Sequence, residues 1–285
     1  MELKEIIEST RLYNFHSHTH FCDGRRPMEE MVRAAIDAGL QHYGFTGHSP
    51  VPVPSGCNMS ALAVDDYIAE FRRLKELYGD RINLYLSMEI DCLGEKWGAS
   101  HPYFDAIPLD YRLSSVHFIS APDGVKEIDV DGQPAPFCEK MKRYFDGDIR
   151  WVVDRFYERT QQMISAGGFD ILGHFDKIGS NAAAFRPGIE DEPWYRRHID
   201  DVIDAVKARP ELIVEINTKA YLPPAGASAE AIKAHIPRIY PSAPTIRRLI
   251  SAGVTLAVNS DAHYPDRITA GRDAAYAIID SFHSI

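Results

Sequence analysis

The segment Leu12-Tyr13-Asn14-Phe15-His16-Ser17-His18 introduces a unit that recurs along the whole chain. Its apolar first half predicts a short β-strand, residues 12–15, and this strand ends in two histidines separated by one residue. A helical pattern follows, because apolar residues recur at helical spacing between Pro27 and Gly39. The segment therefore predicts one strand followed by one helix, with polar side chains where the strand ends.

Six further apolar runs predict strands, and several of them are separated by segments with the same helical periodicity. Strand–helix alternation favours a mainly parallel sheet. Seven such units without a low-complexity linker predict one closed or nearly closed α/β barrel, formed as a single domain by residues 1–285. Two stretches, residues 120–150 and 221–240, interrupt the rhythm and are interpreted as inserted excursions. The six further predicted strands are Tyr43–Thr46, Leu84–Ile90, Leu113–Phe118, Phe169–Leu172, Leu212–Ile216 and Val254–Val258.

Composition is that of an ordinary globular protein, with 45% hydrophobic and 25% charged residues. The net charge of -10 disfavours general binding to nucleic acids or anionic membranes, which needs a basic surface. Four cysteines without paired spacing indicate free thiols in a reducing compartment. The chain begins without the apolar run of a signal peptide, and no stretch is long enough to span a bilayer. These features predict a soluble cytoplasmic protein and leave its oligomeric state open.

Each predicted strand ends in a His, Asp or Glu residue. In a parallel barrel the carboxyl ends of the strands share one rim, and functional groups collect there. Residues two apart on a strand point to the same face, so His16 and His18 can share an ion, as can Asp261 and His263. Imidazole and carboxylate are the usual ligands of Zn, Mn and Fe(II). The rim residues are His16, His18, Asp23, His48, Glu89, Asp91, His117, His174, Glu215, Asn217, Asp261 and His263.

The charge of this set indicates what the predicted metal site would bind. The carboxylates of Asp23, Glu89 and Asp261 carry three negative charges, so two or three divalent ions leave the site with a net positive charge. Such a site favours a bound hydroxide and an anionic substrate, and a phosphate ester fits best. The chemistry needs no serine or cysteine nucleophile, and the sequence has no Gly-x-Ser-x-Gly motif. The residues therefore predict metal-dependent hydrolysis of a phosphate ester.

The motifs that end the strands are specific in combination. They are His16-Ser17-His18, Phe21-Cys22-Asp23-Gly24, Gly47-His48, Glu89, Ser115-Val116-His117-Phe118, Gly173-His174 and Ser260-Asp261-Ala262-His263. Together, from about Tyr13 to Arg272, they resemble the polymerase and histidinol phosphatase (PHP) family. The resemblance implies a distorted (β/α)7 TIM-like barrel with its metal site at the C-terminal ends of the strands.

The resemblance also implies a cluster of two or three divalent ions, which can be Zn, Mn or Fe. The catalytic group would be a metal-bound water held by Glu89, Asp261 and His174. Carried over by motif, the ligands of the first ion are His16, His18, Glu89 and Asp261, those of the second are Glu89, His117 and His174, and those of the third are Asp23, His48 and His263.

Two stretches, Glu215-Ile216-Asn217-Thr218 and Tyr240-Pro241-Ser242, resemble the stand-alone histidinol-phosphate phosphatases within that family. This likeness implies hydrolysis of L-histidinol phosphate to L-histidinol and phosphate in histidine biosynthesis, with a small phosphorylated metabolite as partner. One alternative is a PHP phosphoesterase acting on nucleotides or oligonucleotides, which the acidic charge balance disfavours. A non-enzymatic alternative is a metal-binding PHP scaffold module, which the full ligand set disfavours. An amidohydrolase is disfavoured because strand four ends in His117 where that superfamily has a lysine.

Basic side chains just beyond the strand ends are candidates for binding the phosphate, because PHP phosphatases use such groups. Lys177 and Lys219 are the leading candidates, and Arg238 is a further one. For Arg238, as for Arg186 and Arg267, a solvated surface charge is the competing interpretation.

Asp91 has three open interpretations: it binds a substrate amine, it orients a ligand histidine, or it is a plain loop carboxylate. His20 is expected to line the pocket rather than to bind metal. Substrate choice is expected to depend on the excursion at residues 120–150. The other histidines are interpreted as surface or loop residues; they are His42, His101, His198, His235 and His283.

Overall fold

Seven parallel strands form a nearly closed barrel in the computed structural model, which describes residues 2–283 apart from the side chain of His283. The predicted domain, residues 1–285, thus includes Met1, Ser284 and Ile285, which lie outside the described part. All seven predicted strands are confirmed, in the order in which they occur along the chain. The barrel strands are β1 (Tyr13–Asn14), β2 (His42–His48), β3 (Asn83–Asp91), β4 (Leu113–Ser115), β7 (Ile171–Leu172), β8 (Ile213–Asn217) and β9 (Thr255–Asn259).

The barrel closes between its first and last strands through side chains instead of a continuous ladder. Asn259 Oδ1 accepts a hydrogen bond from the Phe15 backbone at 2.8 Å, and Asn14 Oδ1 accepts one from the Ser260 backbone at 2.9 Å. Further along, the amide of His18 donates to the carbonyl of Ala262 at 2.9 Å. The two ends of the sheet therefore meet where both strands deliver site residues.

Helices cover the outside of the barrel, as the apolar stripes predict. The buried face of the second helix, for example, consists of Met28, Met31, Val32 and Ala35. The helices are α1 (Leu3–Ser9), α2 (Met28–Asp37), α3 (Val64–Tyr78), α4 (Pro134–Tyr144), α5 (Ile149–Ala166), α6 (Ile178–Phe185), α7 (Pro193–Lys207), α8 (Ala229–Ala234), α9 (Ala243–Ser251) and α10 (Arg272–His283).

The interior of the barrel is a packed core at the end opposite the strand termini that carry the site. Ile6 of α1 packs there with Tyr13, Phe15, Leu113 and Ile171. Helix α1 was not among the predicted elements, and its burial depends on closure of the barrel. The pocket described below opens at the opposite rim.

The fourth predicted strand, Leu113–Phe118, is wrong in its extent. The barrel strand ends at Ser115, and Phe118–Ser120 forms β5, which pairs antiparallel with β6 (Glu127–Asp129). The first excursion thus contains a hairpin and α4, whereas the second contains α8. Within residues 2–283, no helix combines the length and the apolar character that a membrane crossing requires.

Candidate metal centre and substrate pocket

The nine predicted metal ligands converge at the carboxyl ends of the barrel strands, where a pocket of about 680 Å³ opens. Each of them belongs to at least one group of three or four donor atoms that lie within 4.8 Å of one another. The barrel brings them together because parallel strands deliver their ends to a common rim. Donors separated by more than 240 positions in sequence, such as His16 and His263, thereby reach one site.

The innermost group contains His16, His18, Glu89 and Asp261. The Nε2 atoms of the two histidines lie 3.1 Å apart, and Glu89 Oε2 lies 3.2 Å from His16 Nε2 and 3.4 Å from His18 Nε2. Asp261 Oδ1 lies 3.1 Å from His18 Nε2. Donors that share one ion at about 2.1 Å from it lie about 3–3.4 Å apart, so these spacings suit a common ion.

A second group forms around the other oxygen of Glu89. Its Oε1 lies 2.9 Å from His174 Nε2 and 3.3 Å from His117 Nε2. His48 Nδ1 approaches the same carboxylate at Oε2, at 3.2 Å. Glu89 therefore stands between two groups of imidazoles, in the position of a bridging ligand.

The outermost group contains His18, Asp23, His48 and His263. Asp23 Oδ1 lies 3.1 Å from His263 Nε2 and 3.8 Å from both His18 Nδ1 and His48 Nε2. A tight turn positions this carboxylate, since a Cβ on Gly24 would lie 2.3 Å from the Thr19 nitrogen. His18, which the motif assigns to the first ion, thus also faces the third group through its Nδ1 atom.

The donor set fits divalent metal ions on two observations. First, it contains imidazole and carboxylate groups, the ligands that Zn, Mn and Fe(II) take in proteins. Second, Asp23 Oδ1, His48 Nδ1 and Glu89 Oε2 are buried and have no hydrogen-bond partner among residues 2–283. Buried polar atoms without partners are costly, and shared cations would satisfy them.

Electrostatic effects at the centre keep its carboxylates ionised. Burial raises the pKa of Glu89, but His16 and His117 outweigh burial, and the pKa lies well below its usual value. Burial likewise raises the pKa of Asp261, and Lys219 and His16 reverse that effect. Ionised carboxylates are the form that binds metal, so the centre is prepared for cations.

Two further carboxylates bind predicted ligand histidines at the ring nitrogen that faces away from the donor groups. Glu215 Oε1 accepts a hydrogen bond from His16 Nδ1 at 2.7 Å, and Asp91 Oδ1 accepts one from His117 Nδ1 at 2.7 Å. Each carboxylate fixes the tautomer in which Nε2 presents its lone pair to the centre. Asp91 is fully buried and also accepts from Asn58 Nδ2 at 2.7 Å. Substrate binding by Asp91 is therefore disfavoured, and the orienting interpretation fits its position.

The wall of the pocket carries the predicted phosphate-binding cations, each paired with a carboxylate. Lys177 Nζ lies 2.7 Å from Asp131 Oδ2, and Lys219 Nζ lies 3.2 Å from Asp261 Oδ1. Arg238 pairs with Glu190. All three cations line the pocket. The wall also includes Arg25 and Arg267, whereas Arg186 is absent from it.

A family model shows which proteins share this arrangement. The model for the PHP domain matches residues 14–219, more than half of the chain. The chain belongs to the PHP family. The distorted (β/α)7 barrel and the strand-end site of this PHP chain thus agree with the resemblance in its sequence.

Similar proteins agree on one branch of the PHP family. A probable histidinol-phosphatase of Deinococcus radiodurans is 26% identical over 91% of this chain and 89% of its own length. A solved structure from Listeria monocytogenes, provisionally assigned as a histidinol phosphatase, has a TM-score of 0.78 at 18% identity and covers 92% of this chain and 99% of that one. Histidinol phosphate phosphatase from Lactococcus lactis, solved with zinc, L-histidinol and phosphate, has a TM-score of 0.64 at 18% identity, with coverage of 95% and 94%.

Some residues of this PHP chain lie where the sequence did not place them. His20 is exposed, contacts the ring of Phe21 and does not line the pocket, because the chain turns away after His18. His235, interpreted as a surface or loop residue, lies in a loop after α8 and lines the pocket from the second excursion. Glu215 was placed at the rim, but its pairing with His16 could be recognised only from the closed barrel.

Proposed function

We propose that this PHP chain is a metal-dependent phosphomonoesterase that hydrolyses L-histidinol phosphate to L-histidinol and phosphate, a step of histidine biosynthesis. The observation that carries the proposal is the convergence of nine buried or half-buried donors around Glu89 at the base of an open pocket. The branch of the PHP family to which its relatives belong supports the substrate.

Two or three ions would be held by the groups described above: His16, His18, Glu89 and Asp261; Glu89, His117 and His174; and Asp23, His48 and His263. The zinc in the Lactococcus lactis structure supports zinc as the metal of this chain, and Mn and Fe suit the same donors. When bound, such ions supply Lewis acidity, lowering the pKa of a coordinated water and polarising phosphoryl oxygens.

The protein side chains have separate tasks in this proposal. Glu89, Asp261 and His174 hold the centre that activates the water, and Glu215 and Asp91 keep His16 and His117 in their ligand tautomers.

The cations of the wall bind the substrate phosphate in this proposal. Lys177, Lys219 and Arg238 are close enough to the pocket to donate charge-assisted hydrogen bonds to phosphate oxygens. Each already has a carboxylate partner, which is Asp131 for Lys177, Asp261 for Lys219 and Glu190 for Arg238.

A comparison of substrates tests the proposal. The metal-loaded protein is assayed with L-histidinol phosphate, a mononucleotide and a generic aryl phosphate, and bound metal is measured on the same sample. We expect the highest kcat/KM for L-histidinol phosphate, by at least about tenfold, or roughly 1.4 kcal/mol of transition-state binding. Equal rates on all three would remove the histidinol assignment but keep the phosphatase, and a metal-binding protein without turnover would support the scaffold alternative.

A cytoplasmic location also stays a prediction. All four cysteines have free thiols, which suits a reducing compartment. Cell fractionation tests this prediction. We expect the protein to fractionate with soluble cytoplasmic enzymes, and its recovery in an oxidising compartment would contradict the expectation.

A further inference from the structure

The first excursion places two carboxylates in the wall of the pocket that the metal groups do not use. Within the described residues, the carboxylates that line the pocket are those of Asp23, Asp129, Asp131 and Asp261. Asp23 and Asp261 belong to the groups of metal donors. Asp129 and Asp131, at the end of the β5–β6 hairpin, are therefore the two that remain.

Only one of this pair has an oxygen free to bind a ligand. Asp129 uses both oxygens, since Oδ1 accepts from the Asp131 amide at 2.8 Å and Oδ2 accepts from Lys140 at 2.9 Å. Asp131 Oδ2 accepts from Lys177 at 2.7 Å, but Oδ1 receives no hydrogen bond from residues 2–283. With 23% of its side chain exposed, Asp131 is accessible from the pocket.

The backbone around Asp131 is anchored to the metal centre. The amide of Val130 donates to the carbonyl of the predicted ligand His117 at 2.8 Å, and Asn181 Nδ2 donates to the carbonyl of Val130 at 3.0 Å. Burial raises the pKa of Asp131, but Lys177 and His117 outweigh it, so this pKa lies well below its usual value. Asp131 is thus an ionised carboxylate held beside the centre.

Histidinol phosphate needs such a partner for its amine. Four covalent bonds separate its ammonium nitrogen from phosphorus, a span of roughly 4–5 Å. When the phosphate lies at the metal centre, the ammonium group must therefore lie against the nearby wall. An ammonium group only donates hydrogen bonds, and the cations Lys177, Lys219 and Arg238 of that wall cannot accept them.

This inference rests on the proposed function and deepens it. We propose that Asp131 Oδ1 accepts a charge-assisted hydrogen bond from the substrate ammonium group, so that the inserted hairpin selects amino-alcohol phosphates over phosphates without an amine. Lys177 holds the carboxylate by its other oxygen and prevents it from turning away. The chemistry stays at the metal centre, and Asp131 determines substrate preference.

The test compares two substrates that differ only in the amine. L-histidinol phosphate and 3-(imidazol-4-yl)propyl phosphate are assayed with the metal-loaded wild type and with Asp131→Asn. A hydrogen bond to a charged group corresponds to about a 10- to 100-fold effect, so we expect the wild type to prefer the amine by that factor. Asp131→Asn should lose at least tenfold more kcat/KM on L-histidinol phosphate than on the analogue.

Two further variants separate recognition from folding. Asp123→Asn is the matched control, because Asp123 lies on the turn of the same hairpin and, among residues 2–283, accepts a hydrogen bond from the Val125 amide alone, at 2.9 Å. It should change the preference by less than about twofold. Asp131→Glu keeps the charge and should retain more of the preference than Asp131→Asn, while thermal unfolding shows that each variant folds. Product inhibition by L-histidinol and by its analogue without the amine should show the same difference.

The outcomes distinguish this inference from the proposed function. If Asp131→Asn lowers kcat/KM equally on both substrates, Asp131 does not recognise the amine and the inference is overturned, although histidinol phosphate can still be the substrate. If the wild type does not favour histidinol phosphate over an aryl phosphate, the proposed function fails, and the inference fails with it.

Discussion

The floor and the wall of the pocket come from different parts of the chain and differ in burial. The floor is the set of nine donors at the strand ends, and apart from Asp23 and His263 each is at most 7% exposed. The wall comes mainly from residues 118–134 and 219–240, together with Lys177, which follows β7. The side chains of Lys177, Asp131, Arg238 and Lys219 in this wall are 14–36% exposed. In the floor, Asp23 Oδ1, His48 Nδ1 and Glu89 Oε2 have no hydrogen-bond partner among residues 2–283. In the wall, each of the four charges has a partner of opposite sign.

This difference in burial separates two kinds of energetic constraint. Buried carboxylates and imidazoles without a cation carry a desolvation cost that only close partners offset. Half-exposed ion pairs cost little and contribute little. A change in the floor should therefore disturb metal binding and turnover of every substrate, whereas a change in the wall should alter how substrates are distinguished.

The largest effect is expected at the centre of the floor. Glu89→Gln removes the charge between two donor groups, so we expect kcat/KM to fall by at least about 10³-fold on both histidinol phosphate and an aryl phosphate. Bound metal, measured on the purified variant, should fall as well. Near-normal activity of a folded Glu89→Gln protein would show that the ligand set is wrong.

A smaller effect is expected behind the floor. Glu215→Gln and Asp91→Asn remove the groups that orient His16 and His117, so metal affinity should fall by about 10- to 100-fold. Competition with a chelator measures the affinity, and excess metal should restore part of the activity.

A matched control exists for these two variants. Asp154 pairs with His198 Nε2 at 2.7 Å, and neither residue lines the pocket. Asp154→Asn should leave metal affinity within about twofold of the wild type. If it weakened the affinity as much as Glu215→Gln does, the loss would reflect stability and not the orientation of a ligand.

In the wall, removal of a phosphate-binding cation should act mainly on KM. Lys177→Gln is expected to raise KM about tenfold for any phosphate monoester with a smaller change in kcat, because a charge-assisted hydrogen bond is lost. Arg186→Gln is the control, since Arg186 pairs with Glu192 at 2.5 Å outside the pocket. Similar kinetics for both variants would remove Lys177 from the site.

The smallest effect is expected at the outer edge of the wall. Ile236 lines the mouth of the pocket and is 83% exposed. Ile236→Ser should change kcat/KM by less than about twofold and the free energy of unfolding by less than about 0.5 kcal/mol. A larger loss on histidinol phosphate would show that the second excursion covers the substrate.

The positions of the floor residues could be predicted from the sequence, because each depends only on where a nearby strand ends. Each strand is a short apolar run, and the residue that follows its end reaches the common rim whatever the connections are. Their positions alone therefore predicted that His16, His48 and His174 lie at this rim. The nine predicted ligands coincide with the nine residues of the donor groups.

The contacts of the wall and of the residues behind the floor could not be predicted, because they join segments far apart in sequence. Asp91 shares a strand with Glu89, but its role follows from His117, which comes after the next strand, and from Asn58. The pairing of Lys177 with Asp131 spans 46 positions. His20 follows the alternation of His16 and His18, but β1 has already ended and alternation no longer determines its direction.

Metal content measured together with activity tests the central claim most directly. The purified protein is stripped with a chelator, reloaded with Zn, Mn or Fe, and assayed for bound ions and for hydrolysis of L-histidinol phosphate. We expect two or three ions per chain, loss of turnover on stripping and recovery on reloading. A protein that binds no ions at these donors, or that keeps its full activity without them, would contradict the claim.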